Sequence, residues 1–238
     1  RASILEDISK KIIKQNMLIL SQFDNQISFK NLWINVIISN PPYFQLKVNE
    51  SKSMNEIEKK MNEALKSRIL QEVEYFRQCW EYRYSIWWML NYYKLSLEKM
   101  MQILPEWWHI WIICPSTLFW DKNCTSLRKY FLLNNKVSEI NYYEEWAWLF
   151  EWVAQSTVVF FARKWWKSDS IIIWIWEKSF IITLDTIYWV MWNNYEVPYI
   201  DSTWWNILKK MNNFPKIREI QRIRNKRGEL DLTLFKWY

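Results

Sequence analysis

Apolar positions along the chain fall into two rhythms. Ile34-Asn35-Val36-Ile37-Ile38-Ser39 is β-branched and too short for a helix, so it reads as a central strand of an α/β sheet. Residues 17–20, 109–115, 137–143 and 156–163 share that character and predict further strands. Between them the spacing changes to steps of three and four residues, the period of a helix face. Ile4, Leu5, Ile8, Ile12 and Ile13 form one such set; Met54, Ile57, Met61, Ala64, Leu65, Ile69, Val73 and Phe76 form a second; Leu90, Tyr93, Leu97, Met100, Met101 and Leu104 form a third. Ser53-Met54-Asn55-Glu56 has capping-box spacing at the start of the second set. Residues 125–133 predict one more helix. From Ser170 the pattern breaks into short runs, 171–173, 180–184 and 195–199, which read as small strands between turns. An α/β domain over residues 1–168 followed by a smaller β-rich region over 169–238 is the organisation this predicts.

Composition adds an anomaly. The 238 residues include 1 Gly and 20 Trp, where an average protein of this length carries about 7% Gly, or roughly 17 residues. The tryptophans stand where turns call for positive φ: Trp107-Trp108 follows Pro105-Glu106, and Trp165-Trp166 lies between Arg163-Lys164 and Lys167-Ser168. The expectation is that most of them are glycines in the natural protein, as would follow if UGA were read as Trp in a gene whose lineage reads it as Gly. The alternative is a Trp-rich surface for stacking or for a membrane interface. Cys79, Cys114 and Cys124 have no C-x-x-C spacing and no even pairing, which points to a reducing compartment. His109 is the single histidine, beside a predicted strand, and no metal site is expected. No run of 18 apolar residues and no N-terminal signal pattern occur, so neither a membrane span nor secretion is expected, and the location expected is cytoplasmic.

Candidate chemistry sits directly behind the first strand, in Asn40-Pro41-Pro42-Tyr43. The carboxyl ends of strands are where α/β sheets bind ligands. Two prolines remove two N–H donors and leave a rigid row of carbonyl acceptors. Asn40 adds an amide oxygen, and Tyr43 adds a flat face on which a heterocycle can stack, the ring mattering more than the hydroxyl. The site suits an exocyclic amine on a base.

Ile-Ser-Asn-Pro-Pro-Tyr-Phe resembles the catalytic motif of the amino-group DNA methyltransferases, most often the N6-adenine enzymes. With glycines at Trp107 and Trp108, residues 105–113 also resemble that family's Pro-x-Gly-Gly-x-hydrophobic strand. Arg227-Gly228-Glu229-Leu230-Asp231-Leu232-Thr233-Leu234 resembles a segment of adenine methyltransferases attached to type II restriction systems with asymmetric recognition sites. The resemblance implies a partial Rossmann-like, S-adenosylmethionine-dependent methyltransferase sheet with helices on both faces, then a small β-rich basic region. It also implies methyl transfer to N6 of an adenine flipped out of duplex DNA. Asn40 and Pro41 would accept hydrogen bonds from the amine, Pro42 would keep the loop rigid, and Tyr43 would stack on the base. Phe150, in the stretch 144–155, would be the aromatic on its far face, the alternative being a residue packed under the sheet. Asp24 would hold the cofactor's adenine, or else simply close an Asx-turn. The family's Phe-x-Gly-x-Gly cofactor loop has no counterpart here and is expected upstream of residue 1, so this stretch alone is expected to be inactive.

The charge is concentrated at one end. Between Ile207 and Tyr238, nine Lys or Arg stand against Glu219, Glu229 and Asp231, which accounts for +6 of the formal +7. Beside a DNA-modifying motif this predicts phosphate contact by Lys209, Lys210, Arg218, Arg222, Arg224, Lys226 and Arg227. Double-stranded DNA and a cognate restriction endonuclease are the partners expected. Two other functions fit parts of the pattern: a non-catalytic DNA-binding fragment, and a protein-glutamine N5 methyltransferase, whose amide nitrogen poses the same chemical problem.

Overall fold

The computed structural model describes residues 36–47, 56–144 and 155–215. The chain divides into two compact units, residues 1–199 and 200–238. The first unit is built on a mixed six-stranded sheet in the order β1-β2-β4-β3-β5-β6. Its strands are β1 (Val36–Ser39), β2 (His109–Pro115), β3 (Asn135–Tyr143), β4 (Thr157–Lys164), β5 (Ser170–Ile175) and β6 (Lys178–Thr183). β1 runs parallel to β2 and β3 parallel to β5, while β4 lies antiparallel between β2 and β3, and β6 antiparallel to β5. The carboxyl ends of β1, β2, β3 and β5 therefore share one edge. Among the described residues β1 is an outer strand, paired only with β2, and Ile38 is 72% exposed.

Helices connect the parallel strands as the spacing predicts. α1 (Glu56–Gln78) and α2 (Tyr92–Ile103) lie between β1 and β2; a short α3 (Thr117–Trp120) and α4 (Thr125–Asn134) lie between β2 and β3; α5 (Leu184–Met191) follows β6. Alternation along the strands buries one set of side chains. Ile110, Ile112 and Cys114 of β2, Val158, Phe160 and Ala162 of β4, Val137, Ile140 and Tyr142 of β3, and Ile171 and Ile173 of β5 are all buried. Phe119 and Phe131, from α3 and α4, meet Phe160 edge-on at 5.3 Å each. Such pairs add about 0.5–1.5 kcal/mol beyond their area.

Two expectations need correction. On α1 only Ile69 and Phe76 are buried, whereas Ile57, Met61 and Leu65 are exposed. The helix packs through its C-terminal half, where Ile69, Val73 and Phe76 join Leu46, Tyr82, Leu90, Tyr92 and Leu95 in a local core. Residues 195–199 are not a strand. Pro198 has no N–H to give a ladder, and Val197 spends its backbone elsewhere, donating to the Phe119 carbonyl at 2.7 Å and accepting from the Tyr142 hydroxyl. Beyond residue 168 the described residues hold both strands and helices. β5 and β6 continue the same sheet, and the second unit holds α6 (Ser202–Met211), whose N-cap Asp201 accepts from Thr203 and Trp204 N–H.

The tryptophans carry the backbone oddities. Positive φ occurs at Trp88, Trp107, Trp165, Trp166, Trp176 and Trp192, and at Tyr195. Trp192, with φ 53° and ψ −149°, occupies a region that only glycine enters without strain. Trp107, Trp165, Trp166 and Trp176 are each more than half exposed, so the large rings gain little burial in return.

Candidate active site

β1 ends because Pro41 and Pro42 cannot extend its ladder. Its last residue, Ser39, pairs with Ile112, which sets Asn40 at the carboxyl edge beside the end of β2. Asn40 is exposed, Pro41 buried and Tyr43 half-buried. The Tyr43 hydroxyl donates to Asn40 Oδ1 at 2.8 Å, and the Tyr43 ring meets Tyr93 edge-on with centroids 6.2 Å apart. Burial, reinforced by the nearby Cys114, raises the Tyr43 hydroxyl well above the ordinary tyrosine value, which keeps it a donor. The loop thus brings Asn40, Pro41, Pro42 and Tyr43 together as one constellation, with the hydroxyl assigned a partner that a pure stacking role does not foresee.

After Tyr43 the chain is sewn to the start of α2. Tyr92 N–H donates to the Phe44 carbonyl and Leu46 N–H to the Leu90 carbonyl, both at 3.0 Å, with Gln45 opposite Asn91 in an antiparallel bridge. Phe44 stacks on Tyr92 at 6.0 Å. Behind Tyr43, the Tyr93 hydroxyl lies 3.3 Å from Thr117 Oγ1 and 3.5 Å from Cys124 Sγ, its ionisation strongly opposed by burial.

Beyond Thr117 a cavity of about 370 Å³ opens at the carboxyl ends of β2 and β3. Tyr142, Tyr143, Glu144, Glu196, Pro198 and Tyr199 line it, with Ser116, Ser156 and Trp120. Ser116 and Ser156 join their hydroxyls at 2.6 Å, and burial with a bond to Glu144 pushes the Tyr199 hydroxyl up to about 12. Arg128, fully buried, holds the wall in place. Its guanidinium donates to the carbonyls of Leu118, Asp121 and Asn194 at 2.8–3.0 Å and to Thr125 Oγ1 at 3.1 Å. Desolvation lowers its pKa, partly offset by Cys124 and Glu196. Arg128 and Asn91 carry no motif, so nothing in the order of residues marks them.

Asp24, Phe150, Arg218, Arg222, Arg224, Lys226 and Arg227 lie outside the described residues. Lys209 and Lys210 occupy the last turn of α6, where the helix dipole favours cations. Among the described residues no group of three or more His, Cys, Asp or Glu could hold a metal ion, and His109 is exposed at the start of β2. No described helix is long and apolar enough to cross a membrane.

The geometry can be set against known proteins. No curated protein sequence matches the chain. Among solved structures it is similar to the type IIG restriction endonuclease BpuSI, at 18% identity and TM-score 0.37 over 58% of this chain and 14% of that one. It is also similar to a component of a type I restriction-modification system, at 10% identity and TM-score 0.42 over 78% and 44%, and to DrdV in its DNA complex, at 13% and 0.42 over 71% and 18%. The chain therefore spans less than half the length of these proteins. The family described as Eco57I restriction-modification methylase matches residues 1–148, more than half of the chain and the part that contains Asn40–Tyr43 and β2. The chain belongs to the Eco57I restriction-modification methylase family.

Proposed function

We propose that the chain is the catalytic part of an adenine-specific DNA methyltransferase of a restriction-modification system, acting on N6 of a flipped adenine. The observation that carries this reading is the loop at the end of β1, where a proline-rigid row of acceptors ends in an exposed Asn40 amide whose oxygen is oriented by Tyr43. S-adenosylmethionine would supply an electrophilic methyl group. Nothing among Asn40–Tyr43 opposes it, since no lysine or arginine stands there to repel a sulfonium. Asp24 is the residue proposed to hold the cofactor's adenine.

The chain's own residues do the positioning. Asn40 Oδ1 and the Pro41 carbonyl accept from the adenine amine, which draws its lone pair out of ring conjugation and aims it. Tyr43 stacks on the base, and Phe150 is proposed for its other face. Acceptors fixed before the reaction cost no reorganisation during it. The region from residue 169 onward is proposed as the start of target recognition, with Lys209, Lys210, Arg218, Arg222, Arg224, Lys226 and Arg227 on phosphates. A cytoplasmic location and a cognate endonuclease partner follow from the same reading.

The positive φ values at Trp88, Trp107, Trp165, Trp166, Trp176 and Trp192 support taking most tryptophans as natural glycines. UGG codons at Trp107, Trp108, Trp165 and Trp166 would refute that part. For the activity, the full-length gene product, translated with its own genetic code, is incubated with methyl-labelled S-adenosylmethionine and DNA, and the nucleosides are analysed. Label in N6-methyladenine is expected. Label in N4-methylcytosine or in protein glutamine refutes the substrate, and DNA binding without transfer refutes the enzyme.

A further inference from the structure

Asn91 has two partners. It caps α2 from extended backbone, and its Oδ1 accepts from Tyr93 N–H at 3.1 Å. With the oxygen committed, the amide's other end is fixed, and Nδ2 donates to the Tyr43 carbonyl at 3.3 Å. The residue is 6% exposed, so water does not compete freely for either bond. Capping alone needs only an acceptor, which Ser, Thr or Asp supplies as well as Asn. Of these, only asparagine offers an acceptor and an N–H donor from one planar group. The flanking backbone bonds, Tyr92 N–H to the Phe44 carbonyl and Leu46 N–H to the Leu90 carbonyl, hold the chain just beyond Tyr43, so the side-chain bond is what fixes the Tyr43 peptide itself.

We propose that Asn91 is a positioning residue for methyl transfer: by gripping the Tyr43 carbonyl it sets the Tyr43 ring and, through the Tyr43 hydroxyl, the Asn40 amide. This rests on the function proposed above. Asn91 touches neither substrate nor cofactor in this role. It ties the rigid start of α2 to the Tyr43 peptide itself, which β1 on one side and the Phe44 and Leu46 backbone bonds on the other leave unheld.

The test separates the two jobs of the side chain. Asn91→Asp keeps the cap acceptor and the shape but sets an oxygen against the Tyr43 carbonyl; Asn91→Ser keeps the cap and leaves that carbonyl without its donor. In the full-length protein both variants should stay folded at the assay temperature, their melting temperatures lowered by no more than a few degrees by the one carbonyl left without its donor. KM for DNA and for S-adenosylmethionine should stay within about twofold, while kcat falls about tenfold in Asn91→Asp and less in Asn91→Ser, the scale of a misaligned reacting group. Backbone hydrogen exchange across residues 43–47 should quicken in both, with the first turn of α2 unchanged. Parental kcat, or unchanged exchange at 43–47, overturns the proposal and leaves Asn91 a helix cap. If the parent itself transfers no methyl to adenine, the functional reading has failed, and the exchange measurement still decides whether Asn91 holds the loop.

Discussion

Replacing Tyr43 by phenylalanine is the sharpest single perturbation of the acceptor loop, because it removes one atom. If the residue served only as a stacking face, activity would be unchanged. The structure gives the hydroxyl a task, since it donates to Asn40 Oδ1 at 2.8 Å. A net hydrogen bond contributes about 0.5–1.5 kcal/mol, and this one is exposed, so the lower half of that range applies. Released from it, the Asn40 amide samples more orientations, and the transfer rate should fall by about two- to fivefold. Asn40→Ala removes the acceptor itself and should cost about 10²-fold or more, on the scale of losing a positioned transition-state partner. Tyr43→Ala should lose about 1–3 kcal/mol of base holding, the range for one stacked base. Single-turnover transfer to a duplex carrying the target adenine, with a second duplex carrying 2-aminopurine at that position to report flipping, measures both effects. Burial keeps the Tyr43 hydroxyl protonated well past neutral pH, so the Tyr43→Phe deficit should not vary between pH 7 and 9. Tyr43→Phe at the parental rate would remove the hydroxyl from the mechanism, and Asn40→Ala at the parental rate would reduce the motif to a turn.

Arg128→Met should destabilise the fold by about 3 kcal/mol or more, from three carbonyls stripped at about 1 kcal/mol each at the low end, and a urea midpoint shift equivalent to less than 1 kcal/mol would refute it. Trp165→Gly and Trp166→Gly should each stabilise by about 1 kcal/mol, since left-handed backbone costs a non-glycine residue roughly 1–2 kcal/mol; a lower denaturation midpoint would contradict this. Burial raises the hydroxyls of Tyr142, Tyr93 and Tyr92 above the ordinary value of about 10. The unfolded chain then releases these protons first, so stability is full below about pH 10 and falls as pH rises beyond it. The part of the 295 nm absorbance change that belongs to these buried tyrosines should therefore coincide with the loss of far-ultraviolet circular dichroism, and its completion in a folded protein would refute the assignment.

Local signals survived folding and distant ones did not show. The acceptor loop was legible because its chemistry lies in consecutive residues, and α2, α4 and the strands β2 to β4 were legible because their period is local. The six-strand order was not, since β4 slots between β2 and β3 by pairings that no periodicity records. Asn91 reaches a carbonyl 48 residues away and Arg128 one 66 residues away, so neither carries a local mark. Tyr195–Tyr199 looked like a strand because its apolar residues alternate; the competition came from Phe119 and Tyr142, whose groups took the backbone that a ladder would need. On α1 the periodic face was real, yet only its second half meets a core.

Because β4 runs against its neighbours, β3 and β4 form a hairpin whose two feet, Tyr143 and Thr157, are paired at the same sheet edge as Asn40. The connection leaves and rejoins the sheet at that edge, with Tyr143 on the cavity wall, and the ladder beneath stays closed. That connection can be lengthened, shortened or exchanged without reregistering a single strand. For an engineer the same arrangement marks a graft point: a foreign segment inserted between residues 143 and 157 would start and end at the edge that holds Asn40 and leave the sheet beneath as it is.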